Sequence, residues 1–223
     1  MNDVAEAEQV AQEVWNLFGP LPGNTTNRPF GKAVIDGFDF DFESPVKNLV
    51  AFANHLRKSI DKANSLISPT DKKFILSGTP QCAIPDDNLG EVLDAAQFDL
   101  VMIQFYNNPC QALAFVRQAT TSQNPYNFEA WSAWADSNTK AKPKLLIGLP
   151  ADTGAATTGF LTIDELTAIV SNATTKYPNT FAGVMMWDMS RLMARIFRRR
   201  GCCTCEYHDS RFPSSLRFDL DEK

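Results

Sequence analysis

Hydrophobic residues along this chain recur in two alternating patterns. Apolar runs of strand length occupy five stretches, 33–42, 73–77, 98–105, 144–149 and 181–187. Between them lie apolar stripes with the 3.6-residue spacing of helices, the clearest being Val46, Leu49, Val50, Ala53, Leu56, Ile60 and Ala63. Because strands that alternate with helices pair in parallel, the pattern predicts an α/β fold.

Two further helices have their own signals. An amphipathic helix is predicted over 4–18, with one apolar side formed by Val4, Ala7, Val10, Val14, Leu17 and Phe18. Thr162 and Glu165 have the spacing of a capping box, and they predict the start of a helix that continues through Leu166, Ile169, Val170 and Ala173.

Polar and aromatic residues collect where the predicted strands end. They are Glu43, Gln104, Tyr106, Asp152 and Trp187. The carboxyl ends of the strands in a parallel β/α barrel face one side, and active sites are built there. The sequence therefore predicts a site at this edge of the sheet.

The stretch 36–43 alternates strictly between aromatic and acidic residues. A strand places its aromatic residues on one face and its acidic residues on the other: Phe38, Phe40 and Phe42 against Asp39, Asp41 and Glu43. Carboxylates repeated about every 7 Å repel one another, and this crowding raises the pKa of at least one of them. A carboxyl that keeps its proton near neutral pH is a general acid, and Glu43 has the longest reach of the three.

Each of these features has a structural alternative. Asp-x-Asp spacing also suits a calcium ion, but the glycine and the distal glutamate of an EF-hand loop are missing, so no metal site is predicted. Tyr106 and Trp187 could be ordinary core aromatics. Their position at strand ends beside polar residues favours a functional interpretation.

Composition limits the class of protein. The chain has 223 residues, of which 44% are hydrophobic and 21% charged, so one sizeable domain is expected. Its net charge of -5 argues against nucleic acid or an anionic membrane as partner. No apolar stretch is long enough for a membrane span, and the first residues lack the basic and apolar regions of a signal peptide.

The octet at 36–43 resembles the D-G-x-D-x-D-x-E signature of glycoside hydrolase family 18, the chitinases. The resemblance continues in order at 77–82 (Ser-Gly-Thr-Pro-Gln-Cys), 104–109 (Gln-Phe-Tyr-Asn-Asn-Pro), 148–151 (Gly-Leu-Pro-Ala) and 183–190 (Gly-Val-Met-Met-Trp-Asp-Met-Ser). Together these segments are similar to the hevamine-type, or class III, branch. The resemblance implies a TIM (β/α)8 barrel. Since the octet strand is the fourth in that family, an incomplete barrel with about five of eight strands is expected, lacking the first three.

The same resemblance implies a reaction. It is the endo-acting hydrolysis of β-1,4 bonds between N-acetylglucosamine units, with retention, by substrate-assisted catalysis and without a cofactor. Glu43 would be the general acid, Asp41 would hold the acetamido group, Tyr106 would donate its hydroxyl to the acetamido oxygen, and Asp39 would adjust the charge on Asp41.

Substrate contacts and location are implied in the same way. Trp187 would stack on the sugar, while Gln104 and Asn107 would bond its hydroxyl groups. The expected partner is chitin or an N-acetylglucosamine oligosaccharide, a neutral polymer that needs no charged surface. The family is mostly secreted, which implies an extracellular protein. A carbohydrate-binding or inhibitor protein on the same scaffold is the alternative, and an inactive fragment is the third interpretation.

The five cysteines fall into two groups. Cys82 and Cys110 follow successive strand-like runs, whose ends would be neighbours in a parallel sheet, and the resemblance implies a disulfide there; two buried thiols are the alternative. The other three cysteines are Cys202, Cys203 and Cys205. They lack a framework of two C-x2-C pairs, so no zinc site is expected with His208. We expect 1–194 to form the partial catalytic barrel and 195–223 to be a poorly ordered Arg/Cys-rich tail.

Overall fold

Five parallel strands form one sheet in the part of the chain that the computed structural model describes, residues 1–20, 28–117 and 126–193. The strands are β1 (Gly37–Phe40), β2 (Ile75–Gly78), β3 (Leu100–Gln104), β4 (Lys144–Pro150) and β5 (Phe181–Trp187). Their order in the sheet is their order in the chain. This sequential order is that of a β/α barrel, whereas a doubly wound sheet reverses direction. The prediction of an incomplete barrel of the TIM type is confirmed.

One helix of the described residues precedes the first strand, and the others connect successive strands. The helices are α1 (Val4–Phe18), α2 (Leu49–Asn64), α3 (Gly90–Ala95), α4 (Ala112–Val116), α5 (Phe128–Ser137) and α6 (Ile163–Lys176). Asp39, Asp41 and Glu43 thus belong to the segment between α1 and α2. The capping box at the start of α6 is present, because Thr162 accepts from the backbone of Glu165 and the Glu165 carboxylate accepts from the backbone of Thr162. No helix of the described ranges is long and apolar enough to cross a membrane.

Two predictions about these elements need correction. The strand expected over 33–42 is hydrogen-bonded only over 37–40, because β1 is an edge strand and its one neighbour, β2, begins at Ile75. The predicted bounds of α1 are correct, but its buried face is narrower than expected. Ala7 and Ala11 are fully buried, whereas Val4 and Leu17 are 54% and 37% exposed.

The two faces of the sheet differ in character. The face toward the helices is the hydrophobic core. There Phe40 packs against Phe52 of α2 and against Phe98, with ring centroids 5.7 and 5.5 Å apart. Leu76, Val101 and Ile147 are fully buried on the same side. The opposite face carries Asp39, Ser77 and Gln104, so the strand alternation separates the core from the polar residues.

A partly buried ion pair connects α2 to the sheet. Arg57 is only 6% exposed, and its Nη1 donates to Asp99 Oδ2 at 2.7 Å. The same oxygen accepts the backbone N–H of Leu76 at 2.8 Å. Because Asp99 immediately precedes β3 and Leu76 lies in β2, this carboxylate fixes the start of two neighbouring strands relative to one helix.

A disulfide joins the segments that follow β2 and β3. Cys82 and Cys110 are bonded, with Cα atoms 5.9 Å apart, as the family resemblance implied. Both residues are buried, and the backbone oxygen of Cys82 accepts hydrogen bonds from Asn127 Nδ2 and Trp131 Nε1. These hydrogen bonds connect the segment after β2 to α5, and the bridge connects it to the segment after β3. The predicted tail, with Cys202, Cys203 and Cys205, lies outside the described residues.

We expect the double variant Cys82→Ser, Cys110→Ser to lower the free energy of unfolding by about 2–4 kcal/mol, since the bridge closes a loop with a sequence separation of 28. Chemical denaturation monitored by circular dichroism measures the change. Dithiothreitol should lower the stability of the unmodified chain by a similar amount and leave the double variant unchanged. Equal stability of the oxidised chain and the double variant would contradict this prediction.

Candidate active site

Asp39 is held by hydroxyl groups of the neighbouring strand. Its two carboxylate oxygens accept from Ser77 Oγ and from Thr79 Oγ1, each at 2.7 Å. The register explains the first contact, because Asp39 lies directly beside Ser77 in the parallel pair β1 and β2. Both hydroxyl donors point into the polar face of the sheet, so they reduce the repulsion that this carboxylate exerts on its neighbours.

Asp41 and Glu43 lie just beyond the hydrogen-bonded part of β1, and one side chain of β3 reaches both. Gln104 Nε2 is 3.0 Å from Asp41 Oδ1 and 3.3 Å from Glu43 Oε1. The same nitrogen donates to the backbone oxygen of Thr79 at 3.1 Å. Gln104 is only 4% exposed, so a buried amide supports two carboxylates that open toward solvent.

The surroundings of Asp41 favour its protonated form. Partial burial of the carboxyl raises its pKa above the usual value, and the charges of Glu43 and Asp39 raise it further. The hydrogen bond from Gln104 acts in the opposite direction. The sequence predicted a raised pKa for at least one carboxyl of this run, and the pKa of Asp41 is raised.

Tyr106 follows β3 and is 6% exposed. Burial, followed by the negative charges of Asp41 and Glu43, raises the pKa of its hydroxyl above the usual range. The hydroxyl consequently stays protonated at all physiological pH values, and it can donate a hydrogen bond to a ligand oxygen.

The loop after β4 fixes the position of Tyr106. Gly159 has a φ of +104° and packs so closely that an added Cβ would lie 2.7 Å from Tyr106 Cβ. Asn107, with a φ of +56°, connects to the same loop, because its Oδ1 accepts from Thr158 N at 3.0 Å and its backbone N–H donates to Thr158 O at 3.3 Å. Asp152, also at a predicted strand end, instead forms a turn with Gly154.

Nine of the described residues line one cavity at the carboxyl ends of the strands. They are Asp41, Glu43, Gln81, Gln104, Tyr106, Asn107, Asn108, Ala155 and Trp187. Six were predicted from the sequence, whereas Gln81, Asn108 and Ala155 were not. Gln81 and Asn108 are polar residues in strand-end segments that the sequence had already singled out. Ala155 carries no signal, because a small apolar residue in a loop has no distinctive chemistry.

Trp187 forms a wall of the cavity from the opposite edge of the sheet. It is the last residue of β5, pairs with Pro150 of β4 and is 45% exposed. The peptide bond between Trp187 and Asp188 is cis. An aromatic face that remains open to solvent beside polar groups is suited to stacking against a ligand ring.

The arrangement of the carboxylates does not suit a metal ion. In the three described ranges, no group of three or more His, Cys, Asp or Glu side chains could hold one. Asp41 and Glu43 instead both accept from the amide nitrogen of Gln104. A cation would need acceptor oxygens there rather than a donor.

Fold and cavity together define a β/α-barrel protein with a carboxylate site at the strand ends. Residues 1–159 match the model of the glycosyl hydrolases family 18, which is more than half of the chain. The chain belongs to this family. The sheet and the cavity contain the segments that suggested it, including the octet strand and the strand that ends in Trp187.

Two of the similar curated proteins are chitinases of fungi. The chain is 42% identical over 187 residues to Endochitinase 33 of Trichoderma harzianum, which covers 83% of this chain and 55% of that protein. It is 40% identical over 189 residues to a Class III chitinase of Arthroderma benhamiae, covering 82% of this chain and 54% of the relative. The chain thus spans about half the length of these relatives.

Similar solved structures include proteins of two kinds. A xylanase-A-amylase inhibitor protein has 31% identity and a TM-score of 0.69, over 87% of this chain and 66% of the other. The chitinase ICChI from Ipomoea carnea has 28% identity and a TM-score of 0.67, over 86% of this chain and 64% of that one. The scaffold is therefore shared by a protein named as an enzyme and a protein named as an inhibitor.

We expect Gly159→Ala to displace Tyr106, because the new methyl group would overlap its Cα and Cβ. NMR spectra of tyrosine-labelled protein should show shifted ring resonances for Tyr106. Gly31→Ala is the matched control, since Gly31 also has a positive φ, of +58°, but has nothing within 4 Å of an added Cβ. Equal effects of the two variants on the Tyr106 ring would contradict this assignment.

Asp41→Asn should stabilise the folded chain at neutral pH. Because folding raises the pKa of Asp41 above its usual value of 3.8, its ionisation costs folding free energy as the pH rises through the folded-state pKa. Below 3.8 the carboxyl is protonated in both states, and the advantage of the variant should disappear. Denaturant unfolding of both proteins, measured from below pH 3.8 to neutral pH, tests whether the variant is the more stable one only at the higher pH. Asp87→Asn, at an exposed aspartate, is the control, and a gain in stability that does not depend on pH would contradict the prediction.

Proposed function

We propose that this chain carries the catalytic centre of a retaining, endo-acting chitinase, which hydrolyses β-1,4 bonds between N-acetylglucosamine units. One observation supports the proposal most directly: Asp41, Glu43, Tyr106 and Trp187 line the same cavity. Membership of glycosyl hydrolases family 18 and similarity to proteins named as endochitinases support it further.

In the proposed reaction, Glu43 donates its proton to the glycosidic oxygen as the bond to the anomeric carbon breaks. The carbonyl oxygen of the substrate's own 2-acetamido group attacks that carbon, which gives a cyclic oxazolinium ion. Water then opens the ring from the same face that the leaving group occupied, and Glu43 takes a proton from it. Two inversions leave the configuration retained, and no nucleophile of the protein is needed.

Asp41 and Tyr106 position the acetamido group. Ionised Asp41 accepts its N–H and offsets the positive charge that develops, and the Tyr106 hydroxyl donates to its oxygen. Asp39, held by Ser77 and Thr79, contributes a second charge that acts on Asp41. The raised pKa of the Tyr106 hydroxyl suits this role, because only the protonated form can donate.

Other residues bind the sugar. Trp187 is proposed as the surface on which the apolar face of a sugar ring stacks, and Asn107 and Gln104 as hydrogen-bond partners of its hydroxyl groups. The proposed partner is chitin or an N-acetylglucosamine oligosaccharide, and the proposed location is extracellular. We further propose that 1–194 is the partial catalytic barrel and 195–223 an atypical Arg/Cys-rich tail.

A carbohydrate-binding or inhibitor protein is the second candidate. The similarity to a solved xylanase-A-amylase inhibitor protein favours it, because the TM-score is as high as for the chitinase structure. Asp41, Glu43 and Tyr106 favour the enzyme, because a protein that only binds does not need an acid beside a tyrosine hydroxyl and a second carboxylate. Binding and turnover must therefore be measured separately.

Glu43→Gln should reduce turnover of a chitin oligosaccharide by about 10²–10⁴-fold while binding is largely kept, since the amide has the shape of the acid but cannot donate its proton. Product anomers followed by NMR measure turnover and retention, and calorimetry measures binding. Glu91→Gln, at an exposed glutamate in the first turn of α3, is the control. Binding without turnover by the unmodified chain would favour the second candidate. Absence of both would contradict both candidates.

A further inference from the structure

The amide nitrogen of Gln104 faces more acceptors than it has protons. Nε2 lies 3.0 Å from Asp41 Oδ1, 3.1 Å from Thr79 O and 3.3 Å from Glu43 Oε1. A side-chain amide has two N–H groups. Thr79 O is a buried backbone acceptor in a fixed position, so one N–H is committed to it. A single N–H then remains for two carboxylates.

The orientation of this amide is determined by its surroundings. Turned the other way, Gln104 would place its carbonyl oxygen against three acceptor oxygens, which would repel it. The residue is 4% exposed, and its backbone N–H donates to Pro80 O at 2.8 Å. The side chain therefore cannot leave for solvent, and its N–H groups must face Asp41 and Glu43.

The ionisable groups that line the described part of the cavity or act on Asp41 are all acidic. Asp39 lies in β1 and precedes Asp41, and Tyr106 follows the end of β3. From the segments after β2, β4 and β5, the described residues that line the cavity are Gln81, Ala155 and Trp187, none of which is charged. Gln104 is thus the donor that offsets repulsion among the carboxylates at the mouth of the cavity.

A donated N–H stabilises an ionised carboxylate more than a protonated one. Because one N–H serves two carboxylates, it cannot stabilise the ionised forms of both equally. The shorter distance to Asp41 means that the ionised form of Asp41 is stabilised more. This hydrogen bond opposes the burial and the neighbouring charges, which favour the protonated form of Asp41.

We propose that Gln104 is a positioning residue that holds the Asp41 carboxylate through the shorter of its two hydrogen bonds and favours the ionised form of Asp41 against the repulsion of the neighbouring carboxylates. When the O–H bond of Glu43 breaks and its proton goes to the glycosidic oxygen, the same N–H becomes available to the new Glu43 carboxylate. The catalytic part of this inference rests on the proposed function, whereas the effect of Gln104 on Asp41 does not. Because Nε2 is already bonded to acceptors of the protein, this role replaces the contact with sugar hydroxyl groups proposed above for Gln104.

The decisive variant is Gln104→Met, which keeps the length of the side chain and removes its donor. Carboxyl ¹³C NMR titrations of the full chain, assigned with Asp41→Asn and Glu43→Gln, follow each carboxyl without any need for turnover. We expect the apparent pKa of Asp41 to be higher in Gln104→Met than in the unmodified chain. Gln97→Met, at an exposed glutamine, should leave it unchanged. An Asp41 pKa that stays the same or falls would overturn the proposal.

A second measurement needs no variant, which matters if Gln104→Met does not fold. The side-chain amide resonances of Gln104 in the unmodified chain should shift with pH at the same midpoint as the Asp41 carboxyl. Amide resonances that do not shift as the Asp41 carboxyl titrates would contradict the proposal.

Kinetics then separate this proposal from the proposed function. If the chain hydrolyses chitin oligosaccharides, Gln104→Met should lower kcat by up to about 10²-fold with little change in KM. The acidic limb of its pH profile, which reflects the ionisation of Asp41, should move to higher pH. A raised KM with unchanged kcat would instead assign Gln104 to sugar binding and overturn the positioning role. If the unmodified chain shows no turnover, the proposed function fails, and the titrations alone decide the role of Gln104.

Discussion

The site depends on how the repulsion among three carboxylates on one strand is offset. Asp39, Asp41 and Glu43 cannot be brought together at the end of β1 without donors from elsewhere in the fold. The parallel register supplies them: hydroxyl groups of Ser77 and Thr79 at Asp39, and the amide of Gln104 at Asp41 and Glu43. The three acidic residues can therefore be held in this arrangement only in a sheet that also contains β2 and β3.

Packing on the other face of the sheet, where the helices lie, holds β1 to β3 in the positions that these hydrogen bonds require. The burial of Phe40 against Phe52 and Phe98 fixes β1 in register, because slipping by one residue would turn its aromatic residues away from the core and its acids into it. The partly buried pair of Arg57 and Asp99 sets where β2 and β3 begin. Core packing and the position of the carboxylates are thus two consequences of the same alternation.

The loops complete the cavity. The disulfide between Cys82 and Cys110 holds the segments after β2 and β3 together, and the loop after β4 packs on Tyr106 through Gly159. Strands β1 and β5 are the edges of the sheet, so the acids and Trp187 come from opposite ends of it. The cavity brings them together only because the sheet curves toward a barrel.

The sequence by itself determined the fold class, the order of the elements and most of the site. Period-2 and period-3.6 patterns arise from local geometry, so β1 to β5 and the bounds of α1 could be predicted. The octet at 36–43 and the aromatic residues at strand ends could be recognised because their chemistry is costly without a function. These features depend on residues close together in the chain.

Tertiary structure alone decided how those residues act on one another. That Gln104 directs its amide at Asp41 and Glu43 follows from contacts between residues about sixty positions apart. The exposure of Val4 and Leu17 depends on which part of α1 the neighbouring elements cover. Ala155 enters the cavity only through the path of its loop, and the ladder of β1 ends at Phe40 because an edge strand has one partner. Such properties belong to pairs of elements, and no single segment of the sequence contains them.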